Sequence, residues 1–150
     1  MAIVHRIEVE THIHATEDED KVMEALANLI GHNAVKGVST VALRGHYGNT
    51  IIVARVQLDH KDYPLDELVR FMASKMSDSD KRILKNSLVN RVQGNKVYLR
   101  FNKQKLYLGE LMLSDGDDVV RMVLHLNGNM LRQLGLKGAL EELGLLNREG

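Results

Sequence analysis

Several stretches of this chain alternate apolar and polar residues with period two, and that alternation limits the folds open to it more than any other feature. Within residues 3–14, Ile3, Ile7, Val9 and Ile13 fall on one side and Arg6, Glu8, Glu10, His12 and His14 on the other. Successive side chains of a strand point to opposite faces, so such a run reads as a strand with one dry face and one wet face. Residues 38–43 and 51–58 are β-branched runs flanking Arg44-Gly45-His46-Tyr47-Gly48-Asn49, which predicts a hairpin with a glycine-bearing loop. Residues 97–101 read as a further strand. The last is 117–126, with Val120, Met122, Leu124 and Leu126 on one face and Arg121, Val123 and His125 on the other.

Helical signals lie between these runs. Thr16 followed by Glu19 reads as a capping box opening a helix to about residue 30, with Val22, Leu26, Leu29 and Ile30 inward and Gly31 as the stop. Pro64 suits the first turn of a helix to about residue 76, and Ser77 or Asp78 the cap of a shorter one to about residue 89 that carries Ile83, Leu84 and Leu88 as its apolar residues. Residues 102–111 read as a turn followed by a short strand at 106–108. The expected fold class is α+β, an antiparallel sheet of about five strands with helices packed on one face. Residues 1–126 form the main unit. Residues 127–150 are a leucine-rich helical tail that either completes this domain or serves as an interaction segment, including a homodimer contact.

Cysteine is absent, which removes disulfides, thiolate metal sites and thiol nucleophiles. No apolar run approaches the roughly 18 residues of a membrane span, and charged residues begin at His5 and Arg6, so a cytoplasmic protein with no membrane partner is expected. Twenty basic and twenty acidic residues cancel, yet they are segregated. Residues 1–20 hold six acids against one Arg, whereas residues 81–105 hold eight Lys and Arg and no acid.

If helices cover one sheet face, the strand phase gathers Arg6, Arg55, Tyr98, Arg100, Arg121 and His125 on the other. Guanidinium groups fork onto phosphates and stack on bases, and a tyrosine adds a platform for them. Arg44, His46 and Tyr47 in the hairpin loop, with Lys103 and Lys105 after a strand end, extend the candidate RNA-binding set. The same residues equally describe a solvated face whose arginines pair with Glu8 and Glu10 across strands. His12 and His14, two apart beside Glu10, have a spacing compatible with zinc but lack partner motifs. There is no nucleophile elbow, P-loop or dinucleotide fingerprint, so neither a catalytic residue nor a cofactor is assigned.

Four ordered segments, HRIEVETHIHATEDEDKV (5–22), LRGHYGN (43–49), YLRFNKQKLYLGEL (98–111) and DDVVR (117–121), together resemble the archaeal RNA-binding proteins described as predicted exosome subunits. The resemblance spans roughly residues 3–126. It implies a fold similar to the ribosomal protein that binds 5S RNA, and a place in RNA processing or ribosome biogenesis with exosome or ribosomal components as partners. It carries over no catalytic or cofactor residue. The leading reading is a non-enzymatic RNA-binding protein. The alternatives are an adaptor in an RNA-processing complex and a metal-dependent hydrolase built on His12 and His14.

Overall fold

A computed structural model describes residues 1–44 and 48–148. Its elements are β1 (Val4–Ile13), α1 (Glu19–Ile30), α2 (His32–Val35), β2 (Ser39–Arg44), β3 (Thr50–Asp59), α3 (Leu65–Ser74) and α4 (Asp78–Asn86). There follow α5 (Leu88–Arg91), β4 (Val92–Gln93), β5 (Lys96–Asn102), α6 (Lys103–Tyr107), β6 (Val119–Leu126) and α7 (Gly128–Glu142). The strands form one antiparallel sheet in the order β2-β3-β1-β6-β5-β4, with the helices packed on one face.

The alternation works as expected in the central strand. Ile7, Val9 and Ile13 of β1 face the helices and are buried, while Glu8, Glu10 and His12 face away. Thr11 shares the dry side, and its hydroxyl avoids a desolvation penalty by donating to the Val119 carbonyl at 2.9 Å. A register shift between Val4 and Arg6 marks a bulge at the start of the strand. There, the Asp66 carboxylate at the first turn of α3 accepts from the amides of Ile3 and Val4 at 2.9 and 2.8 Å.

Four local expectations change. Helix α1 is capped by Asp18, whose side chain accepts from the Asp20 amide at 2.9 Å, and not by Thr16. Glu17 is drawn away from the helix to the His14 amide and to Lys103, so the helix starts later. The strand expected at 106–108 is instead helix α6: Asn102 caps it by accepting from the Lys105 amide at 3.0 Å, and Leu106 is buried beneath α1. A sixth strand, β4, is two residues long and too short to show a period. Finally, Ile83 points outward while Leu84 and Leu88 are buried.

The tail lies on the helical side. α7 bends at Gly135, whose φ of 72° and ψ of 164° are not helical and suit a residue without Cβ. Beyond the bend, Ala139, Leu140, Leu143, Leu145 and Leu146 enter the same apolar cluster as Ile7, Met72 and Leu124. Arg70 Nε donates to the Glu142 carbonyl at 3.0 Å, which fastens α3 to the end of α7. Those five side chains are consequently spent on this chain's own core. Among the described residues no helix is long and apolar enough to cross a membrane.

Candidate functional site

On the face that the helices leave open, the pairing register arranges side chains in transverse rows. One row runs Arg55, Glu10, Arg121, Arg100 across β3, β1, β6 and β5. The next runs Gln57, Glu8, Val123, Tyr98. A third runs Asp59, Arg6, His125, Lys96. Sheet twist makes the surface concave, and the first two rows line a depression of about 690 Å³.

The arrangement brings together Arg6, Arg55, Tyr98, Arg100 and Arg121 from the expected set, and their states differ. Arg55 is held by Glu10, with Nε at 3.1 Å and Nη2 at 3.0 Å from Oε2. Arg6 lies 3.7 Å from Glu8 and 3.4 Å from His125 Nδ1. Arg100 donates from Nη2 to the Gly116 carbonyl at 2.6 Å, which fixes the guanidinium beside the depression, while its buried Nε has no partner among the described residues. Arg121 is exposed, and among the described residues it makes neither an ion pair nor a hydrogen bond. The Tyr98 hydroxyl reaches Gln93 at 3.5 Å, and the residue remains about one-third exposed, at 36 %.

His125 sits in the floor at 5 % exposure and so is not the surface group its strand phase implied. Its imidazole is held below its ordinary pKa by burial first, then by the Arg6 charge, against a smaller upward pull from Glu8. It is therefore neutral at pH 7. One contributor was missed, Lys96, in phase with Tyr98 and Arg100; Val123, already on this side by its strand phase, forms the apolar floor. The signal for Lys96 was present, since it stands two residues before Tyr98 at the start of the strand.

The remaining expected residues lie elsewhere. Arg44 ends β2 opposite Thr50, an odd number of residues from Ser39, which shares the side of Arg55, so Arg44 faces the other way. Lys105 belongs to α6 in the helical layer, 3.8 Å from Glu110. His46 and Tyr47 lie outside the described residues.

Lys103 is removed from the surface set by its burial. Its side chain is 1 % exposed, with the ammonium 3.0 Å from Glu17 Oε1, 3.0 Å from Asp118 Oδ1 and 2.7 Å from the His12 carbonyl. The strand phase accounts for this, because residue 103 continues the inward series Val97, Leu99, Phe101. Burial pushes the Glu17 carboxyl up, but hydrogen bonds from the His14 amide, Lys103 and Tyr107, with the Lys103 charge, hold it below the usual range. Asp118 is likewise lowered, the bonds from Gln104 and Lys103 and the Lys103 charge outweighing burial. The Tyr107 phenol, half-buried and donating to Glu17 at 3.0 Å, is pushed well above its ordinary value by desolvation and by that carboxylate.

His14, Glu17 and Asp118 offer ligand atoms within 4.8 Å of one another, a set able to hold a metal ion. The Lys103 ammonium already lies between the two carboxylates, where a cation would sit. His12 faces the open side of the sheet, 4.0 Å from Glu10, and does not join this group.

A family model described as RNA binding matches residues 6–126 of the chain. An uncharacterized protein of Methanocaldococcus jannaschii is 37% identical over 128 residues, covering 82% of this chain and 85% of its own. An RNA-binding protein of Pyrococcus abyssi is 30% identical over 142 residues, or 92% of each chain. A DUF54 protein from Methanothermobacter thermautotrophicus, known by its solved structure, superposes with a TM-score of 0.73 at 25% identity, covering 97% of this chain and 100% of its own.

Proposed function

Because the chain belongs to the RNA-binding family whose model it matches over residues 6–126, we propose that it binds RNA on the open face of its sheet and works by binding alone. The observation that carries this reading is Arg121. It is an exposed guanidinium with no partner among the described residues, beside Arg100 and one row from Tyr98, on the concave side away from the helices. A free arginine keeps all its donors available, and an adjacent aromatic ring gives a base a surface to rest on. Arg6, Arg55, Arg100, Arg121 and Lys96 outnumber Glu8, Glu10 and Asp59 on this face, so its local charge is positive although the chain is neutral.

A role in RNA processing or ribosome assembly is the finer reading, supported by the resemblance of the four ordered segments to predicted exosome subunits. The test of binding itself is a salt titration with fluorescently labelled single-stranded and hairpin RNA. Each phosphate contact contributes about −0.7 to −0.9 to the slope of log K against log salt, so two or three contacts predict a slope near −2. No detectable binding at low salt refutes the proposal.

A further inference from the structure

The open face carries carboxylates where a plain phosphate clamp would not want them. Glu10 stands between Arg55 and Arg121, and Glu8 stands between Gln57 and Val123, neither of which is a cation. Glu8 is nevertheless held in place: its Oε1 accepts from Gln57 Nε2 at 3.2 Å, with Arg6 at 3.7 Å and His125 Nε2 at 3.2 Å. Its Oε2 accepts no hydrogen bond among the described residues, and the side chain is 40 % exposed. A carboxylate has about four lone-pair sites, so Glu8 retains acceptor capacity toward the depression. His125 Nε2, buried in the same floor, makes no hydrogen bond among the described residues despite its closeness to Glu8.

Across the row from Glu8 lie Val123 and then Tyr98, on β6 and β5. Adjacent strands are about 4.8 Å apart, so Glu8 and Tyr98 stand roughly 10 Å apart with a small apolar side chain between them. That gap is wide enough for a purine. Of the four RNA bases only guanine presents two adjacent donors, N1–H and the exocyclic amine, on its Watson–Crick edge. In cytosine and adenine a ring acceptor stands beside the amine, and in uracil the single N–H is flanked by carbonyls. A carboxylate matches the guanine pair with two hydrogen bonds and repels the acceptors of the others.

We propose, resting on the RNA-binding reading of this face, that the depression takes an unpaired guanine. Its Watson–Crick edge lies on the Glu8 carboxylate and its ring over Val123 beside Tyr98. The flanking phosphates fall to Arg121 and Arg100, one row away. A paired guanine cannot enter, because its Watson–Crick edge is already engaged.

The test compares three labelled single-stranded octamers by fluorescence anisotropy: oligo-U, oligo-U with two central guanines, and the same strand with inosine for guanine. A duplex of equal length is the fourth probe. Good two-bond base contacts give discrimination of roughly 5- to 150-fold, so the guanine strand should bind tighter than oligo-U by a factor in that range. Inosine, which lacks only the exocyclic amine, should forfeit most of the gain without any change to the protein. Glu8→Gln should bring the guanine strand down to the level of oligo-U measured on the same variant. Equal binding of all single strands, preference for the duplex, or a Glu8→Gln variant that treats both strands as the wild type does overturns the guanine site and leaves RNA binding standing. Failure of every probe to bind at low salt overturns the RNA-binding reading itself.

Discussion

Lys103→Met keeps most of the length of the side chain and removes its charge from the interior. In the folded protein the ammonium donates to the His12 carbonyl at 2.7 Å and lies 3.0 Å from both Glu17 Oε1 and Asp118 Oδ1. Without it, two carboxylates face each other across an uncharged thioether. Removing one member of a buried ion pair typically costs about 3–5 kcal/mol, since the partner charge is left uncompensated. Two observations favour the lower end. Asp118 is 47 % exposed and rehydrates, and Glu17, though only 16 % exposed, keeps its bonds to the Tyr107 hydroxyl and the His14 amide. A loss of about 3 kcal/mol follows, which for a chain of this size lowers the melting temperature by roughly 6–12 °C. Urea unfolding followed by circular dichroism should show the midpoint fall with the slope m unchanged. Adding Glu17→Gln should cost less in this background than in the wild type, because the pair is already broken. A loss below about 1 kcal/mol, the range of exposed pairs, refutes the buried-cation assignment. So does a weaker salt dependence of RNA binding, which would return Lys103 to the interface.

Arg121→Gln should reduce the log–log salt slope of RNA binding by about 0.7–0.9 with the melting temperature unchanged, as expected for an unpartnered surface cation; an unchanged slope removes it from the contact set. Acidification should destabilise the fold in two stages. His125 is lowered from its ordinary 6.5, so the unfolded chain takes up its proton first and stability begins to decline below about pH 6.5. Glu17 and Asp118, both lowered, contribute stability above the ordinary carboxylate range and lose it as pH falls through their folded values. Urea midpoints measured from pH 7 to 3 check both stages, and His125→Gln should abolish only the first. Leu140→Ala, at a fully buried position of the tail, should cost about 2–5 kcal/mol in the same unfolding assay, whereas a free-standing interaction segment would tolerate it.

The alternation of β1, β5 and β6 was legible because period two is a local property, and it placed Arg6, Tyr98, Arg100 and Arg121 on the wet side before any neighbour was known. It also held the answer for Lys103, which is in phase with Leu99 and Phe101. A lysine at the end of a basic run was read as surface because its charge outweighed its phase. The short helix α6 was hidden for a similar reason: a five-residue segment has no measurable period, and only the Asn102 cap marks its start.

The chain's own pattern thus determined which side of each strand is wet, where the long helices begin and end within a few residues, and that arginines from several strands share one face. Strand order belongs to the tertiary structure. Placing β1 between β3 and β6 sets Glu10 between Arg55 and Arg121 and Glu8 beside Val123, so that acids divide the cations and, of the four arginines on this face, Arg121 makes neither an ion pair nor a hydrogen bond among the described residues. The burial of the tail leucines was decided there as well. Side-chain direction follows from the pleat of a single strand, but lateral neighbours and burial depend on which distant segments pack together, and no local period encodes that.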